Sequence, residues 1–391
     1  MRGDRRRGRR LRCVVPCLIL LVGCGAGPPR SRGPLYGAED APFLSAHVSG
    51  AIDRAEDPAH RLILLGDAGA PLRDDPTLAA VGRWADARAA RSTVVFLGDN
   101  VYPAGLRESD RARGERILRQ QLEATNARKL FIPGNHDWGF SALGAVQAGT
   151  LLNEERFIDA HARAHAEFAP EGGCPGPVVK TLVPPGGPLS GGLTLLVVDF
   201  HWWLLPEAER PRCPGVPDTE AFLEHLRGAL EGLAGQNVVV AAHHPLRSGG
   251  PHGGLTRGFW VDLGAGIYHR LHGPLQDLWE PTYAQMVNVV SEALAEAPPL
   301  AFVAGHDHSL QVLEGGDVAR LLVVSGAGSA GRITGVTAVE GTIFAHSHPG
   351  FVVFDFFASK GAGDVVLVRV VETGQAEPVF TLGIDLDIQR R

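Results

Sequence analysis

The feature that most constrains this chain is a repeated pairing of short apolar runs with polar turns. Seven runs of mainly apolar residues each lead directly into such a turn. These runs are 62–65, 93–97, 130–132, 194–198, 238–242, 300–304 and 321–324. Continuous apolar runs of this length are typical of strands that are buried on both faces.

Helical patterns lie between several of these runs. They cover 76–90, 111–126, 153–168, 218–233 and 282–295. Strands that alternate with helices predict an α/β fold with a mainly parallel or mixed sheet and helices outside it. Residues 350–386 read as strands without helices, which predicts a second sheet packed on the first. The length permits two domains or one large one.

The N-terminus is typical of an export signal. Seven arginines lie within residues 2–12, and an apolar run follows over 13–23. A positive segment before a short apolar segment is the pattern of a secretory signal, and the run is too short to span a bilayer comfortably. Residues 21–24 (LVGC) resemble the lipobox of bacterial lipoproteins, which implies a lipid anchor at Cys24 and a place in the cell envelope, periplasmic or at the cell surface. The alternative is an ordinary signal peptide with a chance cysteine.

We therefore divide the chain into three parts. Residues 1–23 form the predicted signal peptide, 24–58 a lipoprotein tether and N-terminal extension, and 59–391 a single catalytic domain. The tether is rich in glycine, proline and serine at its start, a composition of flexible linkers.

The net charge and the cysteine content restrict the possible partners and the possible cross-links of the chain. The whole chain has a formal net charge of -6, and it is more acidic without the arginine-rich leader. Such a surface argues against nucleic acid as a partner, because phosphate-backbone binding needs basic residues. In the body of the chain only Cys174 and Cys213 remain. In an exported protein these two are predicted to form a disulfide; two free thiols are the alternative.

Five of the turns carry side chains that bind metals. They are GDAG at 66–69, GDNVY at 98–102, GNHD at 134–137, HHP at 243–245 and GHDH at 305–308. The carboxyl ends of parallel strands share one edge of a sheet, so these turns are expected to meet. Any one histidine or aspartate of this kind is more often structural, and it is the ordered set of five that carries the prediction.

The types of ligand restrict the metal. A mixture of carboxylate, amide oxygen and imidazole suits iron, manganese, zinc or cobalt better than calcium or a thiolate site. About seven such ligands are too many for one tetrahedral zinc. They suit two ions that share a bridging carboxylate.

These residues resemble the calcineurin-like metallophosphoesterases, whose pattern is GD…GD…GNH…H…GHxH. Within that superfamily, GDNVY at 98–102 is similar to the GDxxY variant of the purple acid phosphatases. The segments 240–248, 305–311 and 325–329 are similar to the small tartrate-resistant branch. The resemblance covers about 61–386, and it implies two packed mixed β-sheets flanked by helices, in a metallophosphoesterase-type β-sandwich.

The resemblance implies a role for each matching residue. A ferric ion would be held by Asp67, Tyr102 and His308, and a divalent ion (iron, zinc or manganese) by Asn135, His243 and His306. Asp99 would bridge the two ions. His136 and His252 match histidines that contact the substrate phosphate or assist the leaving group. His244 stands where this branch usually has tyrosine, and we interpret it as a residue behind the ligands.

The implied activity is hydrolysis of phosphoric monoesters by metal-bound hydroxide, as in an acid phosphatase, on a small phosphorylated substrate. One alternative is a phosphodiesterase or nucleotidase, because fold does not fix substrate. The segment 248–279, which contains the apparent insertion at 253–279, could supply the extended groove that a diester needs. A third reading is a surface lipoprotein that binds without turnover. Trp202, Trp203 and Trp260 are predicted to be rim or core aromatics.

Overall fold

Two mixed β-sheets form the centre of the fold. A computed structural model of the chain describes residues 33–36, 57–139, 148–161, 165–253, 276–358 and 363–386. In chain order the strands of these segments are β1 (Leu35–Tyr36), β2 (His60–Leu65), β3 (Ser92–Phe96), β4 (Arg128–Phe131), β5 (Ala166–Phe168), β6 (Val178–Val183), β7 (Leu193–Val197), β8 (Val238–Ala241), β9 (Ala301–Ala304), β10 (Leu310–Glu314), β11 (Leu321–Ser325), β12 (Thr342–His346), β13 (Gly350–Phe357), β14 (Val365–Glu372) and β15 (Phe380–Asp385).

Both sheets combine parallel and antiparallel pairs, with antiparallel strands at one margin of the first sheet and at both margins of the second. One sheet has the order β15-β14-β13-β2-β3-β4-β5, and the other has the order β1-β12-β10-β11-β9-β8-β7-β6. The parallel pairs are β2–β3, β3–β4 and β4–β5 in the first sheet, and β7–β8, β8–β9 and β9–β11 in the second. The predicted fold class, an α/β protein with two packed mixed sheets, is confirmed.

The buried strands separate two apolar layers. Successive side chains of a strand point to opposite faces. In β2, Leu62 and Leu64 therefore join the core shared by both sheets, whereas Ile63 and Leu65 join the core beneath the helices. All four are fully buried, which explains why the strand reads as a continuous apolar run.

The helices cover the outer faces of the sheets. They are α1 (Pro76–Asp86), α2 (Arg111–Glu123), α3 (Ala148–Ala160), a single turn α4 (His201–Leu204), α5 (Thr219–Gly232) and α6 (Pro281–Glu296). Asp75 caps α1 by accepting from the backbone N–H of Thr77 and Leu78, and Asp218 caps α5 through the N–H of Ala221. Side-chain caps of this kind define where both helices begin.

Two expectations about these elements are wrong. The helix predicted over 153–168 ends at Ala160, and Ala166–Phe168 forms β5 instead. Pairing of β5 with β4 overrides the helical pattern there. The strands of 350–386 also do not make the second sheet. β13 pairs with β2, so the C-terminal strands extend the sheet that begins the fold, and the middle of the chain builds the other sheet.

Other expectations fall partly or wholly outside the described residues. These are the signal peptide, Cys24, most of the tether, Trp260 and the greater part of the insertion at 253–279. Within the tether, Leu35–Tyr36 pairs as a short strand with β12. Among the described helices, none combines the length and apolar character that crossing a bilayer requires.

The predicted disulfide is present. Cys174, which precedes β6, and Cys213, which follows α4, are bonded with their Cα atoms 5.6 Å apart. Trp202 and Trp203 lie in the core, 1% and 8% exposed, as predicted.

Candidate metal centre

The five predicted turns meet at one edge of the two sheets. Asp67 follows β2, Asp99 follows β3 and Asn135 follows β4, all in the first sheet. His243 follows β8 and His306 follows β9 in the other sheet. The edge-to-edge arrangement of the parallel strands thus places acidic turns from one sheet opposite histidine turns from the other, as the general rule for such sheets predicts.

Three of the predicted ligands form one cluster. The Tyr102 hydroxyl lies 2.9 Å from Asp67 Oδ1 and 3.0 Å from His308 Nε2. His308 Nε2 is 3.2 Å from the same Asp67 oxygen. These are the three residues that the resemblance assigns to a ferric ion, and the structure brings all three together.

A second cluster contains the other three. Asn135 Oδ1 lies 3.0 Å from His243 Nε2, and His306 Nδ1 is 3.3 Å from that same nitrogen. All three residues are buried, at 4%, 0% and 3% exposure. The structure therefore places the residues predicted for a divalent ion around one point.

Asp99 lies between the clusters. Its Oδ1 is 3.5 Å from His243 Nε2, and it shares with Asp67 and His308 a group of donor atoms that all lie within 4.8 Å of one another. This group could hold a metal ion. A carboxylate that reaches both clusters has the position that a bridging ligand needs.

The spacing and the donor types suit metal ions. Two donor atoms at right angles, each about 2.1 Å from a shared ion, lie about 3 Å apart. The separations within both clusters are close to that value. The donors combine carboxylate, phenol and amide oxygens with imidazole nitrogens, a set suited to iron, zinc or manganese.

Backbone carbonyls hold the candidate histidine ligands from behind. His243 Nδ1 donates to the Leu97 carbonyl at 2.7 Å, His306 Nε2 to the Gln276 carbonyl at 3.0 Å, and His308 Nδ1 to the Arg332 carbonyl at 2.7 Å. Each bond leaves the other ring nitrogen, the one facing the cluster, with a free lone pair. Metal-binding histidines are oriented in this way.

Backbone strain is concentrated at the same place. Asp67, Asp99 and His306 have positive φ angles of 59°, 54° and 68°. Left-handed backbone at a residue with a Cβ is unfavourable, and it persists where surrounding contacts fix it. His306 illustrates those contacts, because its backbone N–H donates to Asp67 Oδ2 at 2.8 Å.

Two glycines permit the close approach of the turns. Gly98 has a φ of 85°, and a Cβ there would lie 2.6 Å from His243 Nδ1. A Cβ on Gly134 would lie 2.2 Å from the Asp99 backbone nitrogen. Neither position accepts a side chain unless the ligands move.

Burial and neighbouring charges set the protonation of the site. Burial alone would raise the pKa of Asp99, but the imidazoles of His243 and His136 outweigh it and hold that pKa well below its usual value. Burial, and then the carboxylates of Asp67 and Asp99, raise the pKa of Tyr102 well above 10. Burial lowers the pKa of His306. A cation would reverse the direction at Tyr102, because it favours the charged phenolate.

Two further predicted residues lie at the open side of the site. His136 is held by its backbone N–H, which donates to Asp99 Oδ1 at 2.9 Å, and by its Nδ1, which donates to the Pro103 carbonyl at 2.5 Å. Its side chain is 22% exposed. The His252 ring lies 4.2 Å from the His306 ring, and its side chain is 32% exposed. Both imidazoles are placed to meet a substrate.

The sequence reading missed the partner of His252. His252 Nδ1 lies 2.7 Å from Asp277 Oδ1. Burial lowers the pKa of His252, but the hydrogen bond to Asp277 and the charge of Asp307 outweigh it and raise that pKa above 6.5. Asp277 lies just after the undescribed part of the insertion, and no local motif distinguishes it.

Asp137 organises the turns from beneath. Its Oδ1 accepts from the backbone N–H groups of Asn100 and Val101, and its Oδ2 accepts from that of Gly134. This carboxylate ties the turn after β3 to the turn after β4. In the sequence, only its place directly after the GNH motif marks Asp137 as part of the site.

His244 packs against two of the candidate ligands, His243 and His306. Its Nε2 lies 3.0 Å from the side-chain oxygen of Gln276, and the Gln276 amide nitrogen lies 3.0 Å from His201 Nδ1. Burial lowers the pKa of His244 and takes that of His201 to about 3. Two neutral imidazoles therefore hold the side-chain amide of Gln276, while the backbone carbonyl of Gln276 orients His306.

Comparison with known proteins yields similarity of fold. No protein-family profile and no curated protein sequence matches the chain. Among solved structures, GAP50, the anchor in the inner membrane complex of Plasmodium, is similar with a TM-score of 0.54 at 14% identity, over 83% of this chain and 88% of that one.

Two further solved structures are similar at lower scores. Phosphopantetheinyl hydrolase (PptH) from Mycobacterium tuberculosis has a TM-score of 0.36 at 14% identity, over 69% of this chain and 89% of that one. The calcineurin-like phosphoesterase YfkN from Bacillus subtilis has a TM-score of 0.34 at 10% identity, over 85% and 92%. The similarity to GAP50 shows that this chain shares its fold.

Proposed function

We propose that this protein is a metallophosphoesterase that hydrolyses phosphoric monoesters at a dinuclear metal centre, in the manner of a purple acid phosphatase. The observation that carries the proposal is the set of three candidate histidine ligands, each held by a backbone carbonyl with its other nitrogen turned to one of the two clusters. Side chains that served only to fill the core would not need this arrangement.

Each residue has a role in the proposed centre. Asp67, Tyr102 and His308 would hold one ion, proposed to be ferric. Asn135, His243 and His306 would hold a divalent ion, and Asp99 would contribute to both. The two cations would supply the positive charge that neutralises a phosphoryl group and activates water.

The remaining chemistry belongs to side chains of the open side. His136 lies beside Asp99, and as an imidazolium it could donate a hydrogen bond from Nε2 to a phosphoryl oxygen. His252 keeps its proton more readily than an ordinary imidazole, because Asp277 bonds its Nδ1. Its other ring nitrogen can then give a proton to the departing alkoxide, as general acid catalysis requires.

One observation favours a different function. GAP50, whose fold this chain shares, is described as an anchor, so a scaffold of this kind can serve in assembly. The competing proposal for this chain is a binding protein without turnover. A phosphodiesterase or nucleotidase on the same centre is the second alternative. Export and lipid attachment at Cys24 remain predictions for all three functions.

Hydrolysis assays separate these functions. The purified, metal-loaded chain is assayed with p-nitrophenyl phosphate and with bis-p-nitrophenyl phosphate from about pH 4 to 9, with a chelator-treated sample as control. We expect preference for the monoester, an acidic optimum and loss of activity after chelation. Preference for the diester would move the function to the second alternative. Bound metal with no hydrolysis of either ester would favour the binding protein.

A further inference from the structure

Arg332 lies at the candidate centre although no motif singles it out. Its guanidinium carbon is 3.7 Å from the centre of the Tyr102 ring. We propose that Arg332 binds a phosphoryl oxygen of the substrate and makes the site selective for dianionic phosphomonoesters. This inference rests on the phosphoesterase function proposed above.

The backbone around Arg332 is fixed to two candidate ligands. The Arg332 carbonyl accepts from His308 Nδ1. Three residues earlier, Ser329 Oγ donates to the Asp67 carbonyl at 2.6 Å and accepts from the Ala70 N–H at 3.1 Å. The short turn Ala330–Arg332 therefore holds the arginine at a set position beside the centre, before any substrate arrives.

The guanidinium has no anionic partner within the described part of the chain. Its Nε is buried without a hydrogen-bond partner, and no described carboxylate lies within ion-pair distance of it. Arg61 provides a contrast: it also lies over a ring, that of Trp84, but it donates two hydrogen bonds to Asp355 and one to the Trp84 carbonyl. A half-buried arginine with unused donors is suited to an anion that arrives from solution.

A phosphoryl group matches those donors. The guanidinium presents a planar fork of N–H groups that fits two phosphoryl oxygens. Tyr102, which the fork overlies, belongs to the first ligand cluster, and His136 packs against the same ring at 4.7 Å. Arg332 and His136 therefore both pack against one candidate ligand.

The charge of the substrate decides the selectivity. A monoester dianion has three non-bridging oxygens and two negative charges, whereas a diester has two such oxygens and one charge. A guanidinium beside the centre contributes a donor for the third oxygen and a charge for the second negative charge. Its removal should therefore weaken the binding of monoesters and inorganic phosphate much more than the binding of diesters.

The test compares R332Q and R332K with the wild type in the metal-loaded full chain. Arg83→Gln is the matched control, because Arg83 is an exposed arginine on α1. We expect R332Q to lower kcat/KM for p-nitrophenyl phosphate by about 10- to 100-fold and to weaken inorganic phosphate binding by at least about 10-fold. The diester rate should change by less than about 3-fold, and metal content should not change. R332K keeps the positive charge but lacks the planar fork of donors, so its activity and phosphate affinity should lie between those of the wild type and R332Q.

Several results would overturn the inference. Equal falls in kcat/KM for both esters, or a loss of bound metal, would show that Arg332 only holds Tyr102 in position. Unchanged phosphate binding in both variants would exclude contact with the substrate. Phosphate affinity, measured by calorimetry, needs no turnover, so it tests Arg332 even if the wild type hydrolyses neither ester. If the wild type hydrolyses neither ester, the proposed function is rejected. A weaker phosphate affinity in R332Q would still support the inference in that case.

Discussion

At the scale of single residues, Asn135 offers the sharpest test of the second cluster. Its side-chain oxygen lies 3.0 Å from His243 Nε2. Replacing it with alanine removes one donor, so we predict the loss of about one ion per chain and at least a 100-fold fall in turnover, since changes to residues behind a ligand already cost 10–100-fold. Elemental analysis and the monoester assay measure both effects. Asn288, exposed on α6, is the control, and N288A should behave as wild type.

Tyr102 tests the first cluster through colour. If its oxygen binds ferric iron, the iron-loaded protein absorbs visible light, and Tyr102→Phe should lose that absorption while keeping its circular dichroism spectrum. Tyr36→Phe alters a 60% exposed tyrosine and should leave the spectrum unchanged. Persistence of the visible band in Y102F would remove Tyr102 from the ligand set.

The candidate ligands could be predicted from the sequence, but their surroundings could not. The seven candidate ligands follow apolar strands in short motifs, so strand order and edge placement were enough to bring them together. Gln276, Asp277 and Arg332 lie in loops without a repeated pattern. Their contacts depend on how distant loops pack, and a single sequence does not encode that packing in local spacing.

At the scale of elements, the glycine turns connect strand packing to the candidate metal site. Gly98→Ala would place a Cβ 2.6 Å from His243 Nδ1 in a turn with a φ of 85°. We predict a loss of about 1–3 kcal/mol in unfolding free energy and weaker metal binding, measured by denaturant unfolding and metal titration. Gly228→Ala is the control, because Gly228 lies in α5 with nothing within 4 Å of its Cβ. It should stabilise the protein by up to about 1 kcal/mol.

The β2–β3 pair contains a histidine whose titration is separable from the site. His60 Nε2 lies 3.1 Å from Thr93 Oγ1. Burial, with a smaller contribution from Arg128, lowers the pKa of His60 from 6.5 to about 4. The folded state therefore disfavours the imidazolium, and its contribution to stability is complete above pH 6.5 and is lost as the pH falls towards 4.

This sign gives a definite prediction. Between pH 6.5 and 4 the wild type should lose about 3 kcal/mol more unfolding free energy than His60→Gln, since each pKa unit corresponds to about 1.36 kcal/mol. Chemical denaturation at several pH values on chelated samples measures the difference. Parallel curves for the two proteins would show that His60 is not buried in its neutral form.

The element boundaries show where sequence patterns fail. Residues 166–168 have a helical context but pair with β4, because an open sheet edge offers backbone hydrogen bonds that a helix end does not. The C-terminal strands were recognised as strands, yet their sheet was assigned wrongly. β13 pairs with β2 across almost the whole chain, and apolar alternation carries no information about the partner.

At the scale of the whole molecule, the two sheets act as opposite supports of one site. The carboxylate and amide turns come from the sheet that contains β2, β3 and β4, and the three candidate histidine ligands come from the sheet that contains β8 and β9. Movement of one sheet against the other would separate the clusters. The apolar core between the sheets, which includes Leu62, Val95, Val239 and Val303, therefore determines the geometry of the centre.

The number of metal ions per chain tests this account most directly. The purified chain is dialysed against metal-free buffer after loading with iron and zinc, and the metal is measured by elemental analysis against protein concentration. The account predicts two ions per chain, both lost when Asp99, the proposed bridge, is replaced by alanine. One ion per chain in the wild type, or none, would contradict a dinuclear centre at these strand ends.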